Sequence, residues 1–589
     1  MLRSRLYLYG AGAWCATPLG PVGVESRTQQ LGLLSPSGFA PLGPEARLGD
    51  ALGDPTPVPG STWVIAAAER DEHGATAHEL VALDVATGRR VSLVAARGRC
   101  ADPQVAPDAT RVAWLEWPLG AMPWDSAEIR VAPLAVEPGS ISCGSPRRVD
   151  GGRGASAGQP TWRPDGSLAY VCEAAGFWQP WVCDDGGAVR RLSGRHAEFQ
   201  RPRWLTCRWL AALGREGALA CAFADADGEH VGVLQCDGTL EALDQPCVRI
   251  DGVAADERTM GWVGATTSAQ GAVLVAATTD GAQVRVGRIA PAAAPLAAPG
   301  IPPVPERFTL HVEDVELEGV LWRPIGPGHG PFPLVVSVHP GPTGAVDRSY
   351  APLVHLLAAR GLAVAAVDTS GSTAHGRAHR ERLLGRFGEL DVAECVAAAR
   401  HLVGVGLADP HALFIRGASA GGTTALLALA SGVFRGAVAW YPASSFVDTD
   451  EGFESGYLAG LVGPDGAGRS PLARAAALRG SALLVQGEDD PVVTPAETGL
   501  LLAALRASLD DVELVAVPGE GHGFRTTQGR ATALAAEADF YARLLGARGE
   551  PNRVASPPEV ATGVADAAAS ARYDASAGGS ARSATPEPP

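Results

Sequence analysis

The 589-residue chain contains no lysine, so arginine supplies all 48 of its basic residues. Together with the abundance of alanine, glycine and proline, this absence indicates a coding bias rather than a function. The 64 acidic residues give a formal net charge of −16 without any long acidic run. Such a charge favours solubility and does not by itself indicate a binding surface. We therefore expect no nucleic-acid partner.

The chain also lacks an apolar run of the roughly 20 residues that cross a bilayer, so we expect no membrane association. Residues 1–17 resemble a signal peptide only faintly, because their apolar part is short and interrupted, and a cytoplasmic location is predicted. The ten cysteines include no Cys-x-x-Cys pair, which excludes a disulfide scaffold and a zinc site of that spacing. Cys172 and Cys183 could face each other across a hairpin, but buried free thiols are favoured.

Short β-type runs broken by Gly, Pro and Asp turns fill the chain up to about residue 290. Residues 103–114 and 160–170 repeat one pattern, in which Pro-Asp starts a tight turn that leads into an alternating strand, and residues 202–213 form a degenerate copy. Spacings of about 40 to 60 residues are typical of propeller blades. A pair of β-sandwiches is the structural alternative.

Composition divides the chain into five segments. We predict an N-terminal segment at 1–30, an all-β propeller of six or seven blades at 31–290 and a Pro/Ala-rich linker at 291–305. The catalytic domain is predicted at 306–548. Residues 549–589 are too poor in large apolar residues to fold and are predicted to be a disordered tail.

Strands and helices alternate beyond the linker. After two strands at 308–315 and 317–323, apolar runs are separated by helix-length segments, and this pattern predicts a mostly parallel sheet with helices on both faces. The predicted strands of this α/β domain lie at residues 334–338, 362–367, 412–415, 437–440, 482–485 and 512–517.

Residues 417–422, Gly-Ala-Ser-Ala-Gly-Gly, lie between one of these strands and an apolar helix. A nucleophile elbow requires this context, with small residues beside a serine on a strained turn. Serine needs a base and an acid, which follow it in the order Ser, Asp, His in α/β-hydrolases. We therefore predict Ser419 as nucleophile, Asp489 as the acid that orients the imidazole, and His522 as general base.

An oxyanion hole requires two backbone N–H groups, one after the nucleophile and one from an early loop. Ala420 is predicted to supply the first. Gly341 is predicted to supply the second, because Pro340 and Pro342 on either side of it have no N–H.

We expect no cofactor and no metal. His375 and His379 lie one helical turn apart with Glu381 nearby, but a His-Glu-x-x-His pattern and a matching third ligand are both missing.

With these motifs the chain resembles the prolyl oligopeptidase family of serine peptidases, in its acylaminoacyl-peptidase and dipeptidyl-aminopeptidase branch. The resemblance implies an α/β-hydrolase fold behind a propeller that screens large substrates. It assigns the triad to Ser419, Asp489 and His522, and the oxyanion donors to Gly341 and Ala420. The matching segments are residues 339–342, 371–373 with 376–377, 417–422, 453–455, 461–464 and 520–524, with 114–117 and 122–125 on the propeller side.

Departures from the family pattern leave the substrate open. Pro491 stands where many relatives carry an arginine, and the segment after Tyr441 lacks the aspartate of many relatives. This segment is expected near the specificity pocket, so Trp440, Tyr441 and Phe446 are the predicted pocket residues.

The carboxylates of Glu116, Asp125 and Glu128 are candidates for binding a substrate amine. The favoured interpretation is that they are ordinary carboxylates of strands and turns without such a role.

The function predicted from these residues is hydrolysis of short peptides through an acyl-enzyme on Ser419. An esterase, or an amide-forming acyl transferase or cyclase acting on a small metabolite, uses the same triad and is the alternative. A non-catalytic propeller that binds partners is the third hypothesis. The expected partner is a short peptide or an acylated small molecule, and the oligomeric state is not predicted.

Overall fold

Six small antiparallel sheets form the N-terminal part of the computed structural model, followed by one eight-stranded sheet. The structure describes residues 2–546 except for 8–9, 44–49, 73–74, 203–207, 269–271, 279–284, 288–301, 327, 447–453 and 510. Most of the predicted linker and the whole predicted tail therefore lie outside the described residues. No described helix is long and apolar enough to span a bilayer.

The six small sheets are the blades of a β-propeller, as predicted, and within the described residues they number six. Each blade is built from strands that follow one another in the sequence, and β13 adds a fifth strand to the third blade through β11. In blade order the strands are β1 (Trp14–Thr17), β2 (Gly20–Val24), β3 (Leu31–Ser35), β4 (Gly38–Pro41); β5 (Ala51–Pro57), β6 (Trp63–Glu72), β7 (Ala75–Asp84), β8 (Arg90–Ala95); β9 (Arg99–Val105), β10 (Arg111–Trp117), β11 (Glu128–Glu137), β12 (Ser140–Cys143), β13 (Arg147–Gly151); β14 (Ala157–Trp162), β15 (Leu168–Cys172), β16 (Gln179–Cys183), β17 (Val189–Arg191); β18 (Leu210–Leu213), β19 (Ala218–Asp225), β20 (Gly228–Leu234), β21 (Leu240–Leu243); and β22 (Arg249–Ala255), β23 (Thr259–Ala265), β24 (Ala272–Thr278), β25 (Arg285–Gly287).

The first blade begins at Trp14, so the boundary predicted at residue 31 is wrong. It falls inside this sheet, between β2 and β3. The strands β1 and β2 are only four and five residues long, and β2 contains Gly and Pro, so they show little of the alternation that reveals a strand.

The repeated Pro-Asp pattern forms the predicted turns. The Asp108 carboxylate accepts the Thr110 N–H at 3.0 Å, directly before β10, and Asp165 accepts the Ser167 N–H at 3.0 Å, directly before β15. An aspartate that bonds the backbone two residues later stabilises such a turn locally. The pattern therefore marks the entry to the same type of strand in two successive blades.

The C-terminal sheet has the order β26-β27-β29-β28-β30-β31-β32-β33, with parallel pairing from β29 to β33 and antiparallel pairing among β26, β27 and β29. This is the predicted α/β-hydrolase fold, and its first strand begins at Glu306. Its strands are β26 (Glu306–Val312), β27 (Val315–Trp322), β28 (Phe332–Val338), β29 (Ala363–Val367), β30 (Ala408–Ala418), β31 (Gly436–Trp440), β32 (Ser481–Gly487) and β33 (Asp511–Val517).

Helices cover both faces of this sheet. The described helices are α1 (Pro123–Ser126) in the propeller and α2 (Pro352–Ala358), α3 (Gly376–Glu381), α4 (Leu390–Gly404), α5 (Ala420–Ala428), α6 (Ser455–Val462), α7 (Pro471–Arg474), α8 (Pro495–Arg506) and α9 (Thr527–Gly546), with single 3₁₀ turns at Leu429–Ser431, Gly466–Arg469 and Ala475–Ala477. Consecutive strand residues point to opposite faces. Val336 and Ile415 pack with α4, α5 and α8, whereas Val335 and Phe414 pack with α2 and α9.

Buried charged groups join the propeller to helix α3. Glu198 of the propeller accepts the N–H of Trp178 at 2.7 Å and, across the domain boundary, the N–H of Gly376 at 3.0 Å. Arg380 of α3 pairs with Glu173 of the propeller at 2.7 Å, with side chains only 5% and 1% exposed. Both contacts hold α3 against the propeller.

We expect Glu198 to make stability depend on pH. Burial raises the pKa of Glu198 to about 7, well above the usual range of a glutamate, although its two N–H donors and Arg380 lower it. Because the pKa is raised in the folded state, the stabilisation is present at low pH and is lost as pH rises through 7. The free energy of unfolding should therefore fall by about 2–3 kcal/mol between pH 5 and pH 8 from this group.

Urea unfolding of the native chain and of Glu198→Gln at both pH values measures this contribution. The glutamine cannot ionise, so the difference between the two chains isolates Glu198 from the other titrating groups. Equal pH slopes in the two chains would contradict the prediction.

Candidate active site

Ser419 lies on the sharp turn between β30 and helix α5. Its backbone has φ 52° and ψ −122°, a strained conformation for a residue with a side chain, and its N–H donates to Trp440 O at 2.9 Å. Such a turn lifts the serine hydroxyl out of the sheet and places it at the N-terminus of a helix. This is the geometry predicted for a nucleophile elbow.

Two glycines make this turn sterically possible. A Cβ on Gly417 would lie 2.2 Å from the carbonyl carbon of Gly421, and a Cβ on Gly421 would lie 2.6 Å from the carbonyl oxygens of Val338 and His339. Helix α5 thus starts in direct backbone contact with the end of β28. Small residues beside the serine are required by this close approach.

His522 joins Ser419 to an acid. Its Nε2 lies 3.0 Å from Ser419 Oγ, and its Nδ1 lies 2.9 Å from Asp490 Oδ2. The loop that carries it follows β33, and Gly523 in this loop has φ 93°. An imidazole with these two neighbours can take a proton from the serine while the carboxylate fixes its tautomer.

Asp490, not Asp489, is the acid that contacts His522, so the predicted residue is wrong by one position. Asp490 is 4% exposed, and its Oδ1 also accepts the N–H groups of Val492 and Val493 at 2.8 and 3.0 Å. Asp489 is exposed. The two carboxylates follow β32 in an irregular loop, where no periodicity tells which of two consecutive side chains turns inward.

The loop after β28 holds the predicted oxyanion donor. Gly341 has φ 131°, in the region that favours glycine. Both ring nitrogens of His339, two residues earlier, have hydrogen-bond partners. His339 Nδ1 lies 2.9 Å from Pro340 O, and His339 Nε2 lies 2.7 Å from Ser372 Oγ. A carbonyl oxygen only accepts, so Nδ1 carries the proton and Nε2 accepts from Ser372.

Ala420 is the first residue of α5, where an N–H has no acceptor within the helix. The roles of Gly341 and Ala420 as oxyanion donors remain predictions.

Two of the three predicted pocket residues pack against the loop that carries His522. The Tyr441 ring is 4.7 Å from the His522 ring, and the Trp440 ring is 5.3 Å from Phe524, two residues further along the same loop. Phe446 is 5% exposed and packs on Phe387 at 5.3 Å in the core below the site. It therefore contributes to the core, and its place in a substrate pocket remains a prediction.

The three propeller carboxylates have different surroundings. Glu116 and Glu128 lie 3.4 and 3.7 Å from Arg130, so arginine already neutralises them. Asp125, at the end of α1, forms no ion pair with any described residue, and burial raises its pKa to about 6 although Arg380 lowers it.

Asp125 lies on the side of the propeller that faces residues 339–343, the loop of the predicted oxyanion donor Gly341, called the oxyanion loop below. The neighbouring Trp124 packs edge-on against Tyr457 of α6 at 5.4 Å, and the Tyr457 hydroxyl bonds Thr343 Oγ1 at 2.5 Å. Burial and then the charge of Asp125 raise the pKa of the Tyr457 phenol. No local pattern indicates this contact, because Tyr457 and Thr343 are 114 residues apart in the sequence.

His375 and His379 have partners inside the protein. Their rings are 4.9 Å apart, His379 Nε2 lies 3.0 Å from Thr369 O, and His375 Nε2 lies 3.4 Å from Asp368 Oδ2. Among the described residues no group of three or more His, Cys, Asp or Glu side chains is placed to hold a metal ion.

Fold and site together define a serine hydrolase of the α/β-hydrolase class with an N-terminal propeller. The profile of the prolyl oligopeptidase family matches residues 349–548. Dipeptidyl aminopeptidase BIII of Pseudoxanthomonas mexicana is 30% identical over 244 residues, which are 38% of this chain and 35% of that protein. The acylamino-acid-releasing enzyme of Arabidopsis thaliana is 31% identical over 112 residues, 19% of this chain and 15% of that enzyme.

Solved structures match over a greater length. The Mycobacterium tuberculosis puromycin-hydrolyzing peptidase has 30% sequence identity and a TM-score of 0.84, with 92% of this chain and 88% of that chain covered. A puromycin hydrolase has 29% identity, a TM-score of 0.84 and the same coverage. The chain belongs to the prolyl oligopeptidase family of serine peptidases. The matched part spans about a third or less of the curated relatives named above.

Proposed function

We propose that the chain is a peptidase that hydrolyses short peptides or small aminoacyl amides through an acyl-enzyme on Ser419. The observation that carries this proposal is the line of hydrogen bonds from Ser419 through His522 to the buried Asp490. His522 takes the hydroxyl proton as Ser419 attacks the carbonyl, and then returns it to the leaving amine. Water repeats the cycle on the ester and releases the acid.

The N–H groups of Gly341 and Ala420 are the proposed donors to the oxyanion. Gly341 lies in the loop held by His339 and Ser372, and Ala420 lies at a helix N-terminus, where the helix dipole favours negative charge. Donors fixed before the reaction stabilise a developing charge without reorganisation. The propeller, joined to α3 by buried contacts, limits the size of substrates that reach this site.

The test is parallel hydrolysis of N-acetyl-Ala, free Ala and Gly-Pro anilides, puromycin and a p-nitrophenyl ester, with Ser419→Ala as control. Puromycin is included because two similar solved structures are puromycin-hydrolysing enzymes. We expect amide turnover that the Ser419 variant loses. Ester turnover without amide turnover would favour the esterase or acyl-transfer function, and full activity of Ser419→Ala would contradict the proposed nucleophile.

We further propose that Asp125 binds a free substrate amine from the propeller side. Support comes from its position beside Tyr457 and Thr343 of the oxyanion loop, and from its lack of an ion pair within the described residues. A cationic amine would add a hydrogen-bonded partner and favour the ionised carboxylate.

Asp125→Asn is therefore expected to raise KM for free-amine anilides by about 10- to 100-fold, because a hydrogen bond between charged groups contributes about 1.5–3 kcal/mol. N-acetylated substrates should be unaffected. Glu128→Gln is the matched control, since Glu128 is already paired with arginine. An equal loss on acetylated and free-amine substrates would contradict amine binding by Asp125.

A further inference from the structure

Tyr441 is held in an unusual backbone conformation directly beside the triad histidine. Its φ is 39°, a left-handed value that a bulky residue adopts rarely and only with backbone strain. The N–H of Tyr441 donates to Val485 O at 2.7 Å, which ties the residue to the neighbouring strand β32. Such strain persists only where the surroundings impose it, and it is often found where a side chain must point in one direction.

The strained backbone brings the Tyr441 ring against the imidazole. The two ring centroids are 4.7 Å apart with an interplanar angle of 57°, and Phe524, on the same loop as His522, meets the Tyr441 ring edge-on at 5.4 Å. Tyr441 thus contacts two side chains of the loop that carries His522. Aromatic contacts of this kind stabilise a pair of rings beyond the effect of their buried area.

These contacts restrain a motion that the hydrogen bonds of His522 leave free. Ser419 and Asp490 bond the two ring nitrogens, and such bonds lie close to the plane of the imidazole. They fix how the ring is rotated within its plane but resist tilting only weakly. A second ring packed against the imidazole opposes this tilt.

A buried ion pair lies beside Trp440, the residue before Tyr441. Arg416 pairs with the fully buried Glu537 at 2.9 Å and places its guanidinium 5.2 Å from the Trp440 ring.

Burial raises the pKa of Tyr441 to about 12, so the phenol stays neutral at ordinary pH. Tyr441 therefore acts through its ring and not as an acid or a base.

We propose that Tyr441 is a positioning residue for His522, and that its left-handed backbone exists to place its ring against the imidazole. The inference rests on the proposed function only in taking His522 as the general base. A displacement of about 1 Å at a reacting group can reduce the rate about 100-fold. The expected loss therefore appears in kcat, because ground-state binding of substrate does not depend on the angle of the imidazole.

The experiment compares Tyr441→Ala, Tyr441→Phe and Tyr441→Asn. We expect Tyr441→Ala to lower kcat by about 10- to 100-fold with KM within about threefold of native. Tyr441→Phe keeps the ring and should restore kcat to within about threefold, since no role is assigned to the hydroxyl. Asparagine tolerates the left-handed region, so Tyr441→Asn should be at least as stable as Tyr441→Ala in urea yet equally slow.

A fluorophosphonate probe separates this inference from the proposed substrate class. The probe reacts with Ser419 only as fast as His522 removes its proton, whatever the physiological substrate. We expect its labelling rate to follow kcat through the three variants. The inference is overturned if Tyr441→Ala labels at the native rate, if its loss lies in KM with kcat unchanged, or if Tyr441→Phe is as slow as Tyr441→Ala.

Discussion

Replacing Asp490 with asparagine is expected to lower kcat by about four orders of magnitude. Asp490 Oδ1 accepts the N–H groups of Val492 and Val493, so the asparagine must keep its carbonyl oxygen there. Its NH₂ group then faces His522 Nδ1, where Oδ2 lies at 2.9 Å in the native chain. A donor at this position forces Nδ1 to accept and moves the ring proton to Nε2, which can no longer take the proton of Ser419.

Asp489→Asn is the matched control, because the two residues are adjacent and only one is buried. The Asp489 side chain is exposed, so we expect its variant to retain kcat within about threefold. Steady-state hydrolysis of an anilide, together with unfolding curves that establish equal folding, measures both variants. A large loss in Asp489→Asn with little loss in Asp490→Asn would reverse the assignment of the acid.

The contrast between these two aspartates shows what could be predicted at the site. Ser419 and His522 were predictable because each stands among small residues directly after an apolar strand, and the chemistry requires that context. Asp490 was not distinguishable from Asp489, since the choice depends on how an irregular loop turns. Phe446 is a related case, because nothing local in the sequence shows whether an aromatic side chain points to the core or to a pocket.

The fold was predictable where burial leaves a pattern. Most strands of the large sheet are apolar runs covered on both faces, and all eight were predicted to within a few residues of their ends. The first half of the first blade was missed because β1 and β2 are short and β2 contains Gly and Pro. The contacts between the domains leave no local pattern, since Glu198 and Gly376 are 178 residues apart in the sequence.

Replacing Arg380 with methionine is expected to lower the free energy of unfolding by about 3–5 kcal/mol at pH 8. The guanidinium pairs with Glu173 at 2.7 Å and lies 4.6 Å from the Trp178 ring. Its positive charge also lowers the pKa values of three carboxylates, those of Glu173, Glu198 and Asp125. Methionine fills much of the same volume but leaves these carboxylates without their shared cation. The cost of burying an unpaired charge is then fully present where they are ionised.

This loss should shrink as pH falls, because protonation removes the unpaired charges. Burial already raises the pKa of Glu173, and that of Glu198 to about 7, and the absence of Arg380 raises both further. Urea unfolding of Arg380→Met at pH 5.5 and pH 8 tests this, with the double variant Arg380→Met/Glu173→Gln as control. Removing both partners should restore part of the stability at pH 8, since a neutral pair costs less than one buried charge. A loss that is equal at both pH values and unchanged in the double variant would mean that Arg380 stabilises the interface by packing on Trp178, and not by balancing the buried carboxylates.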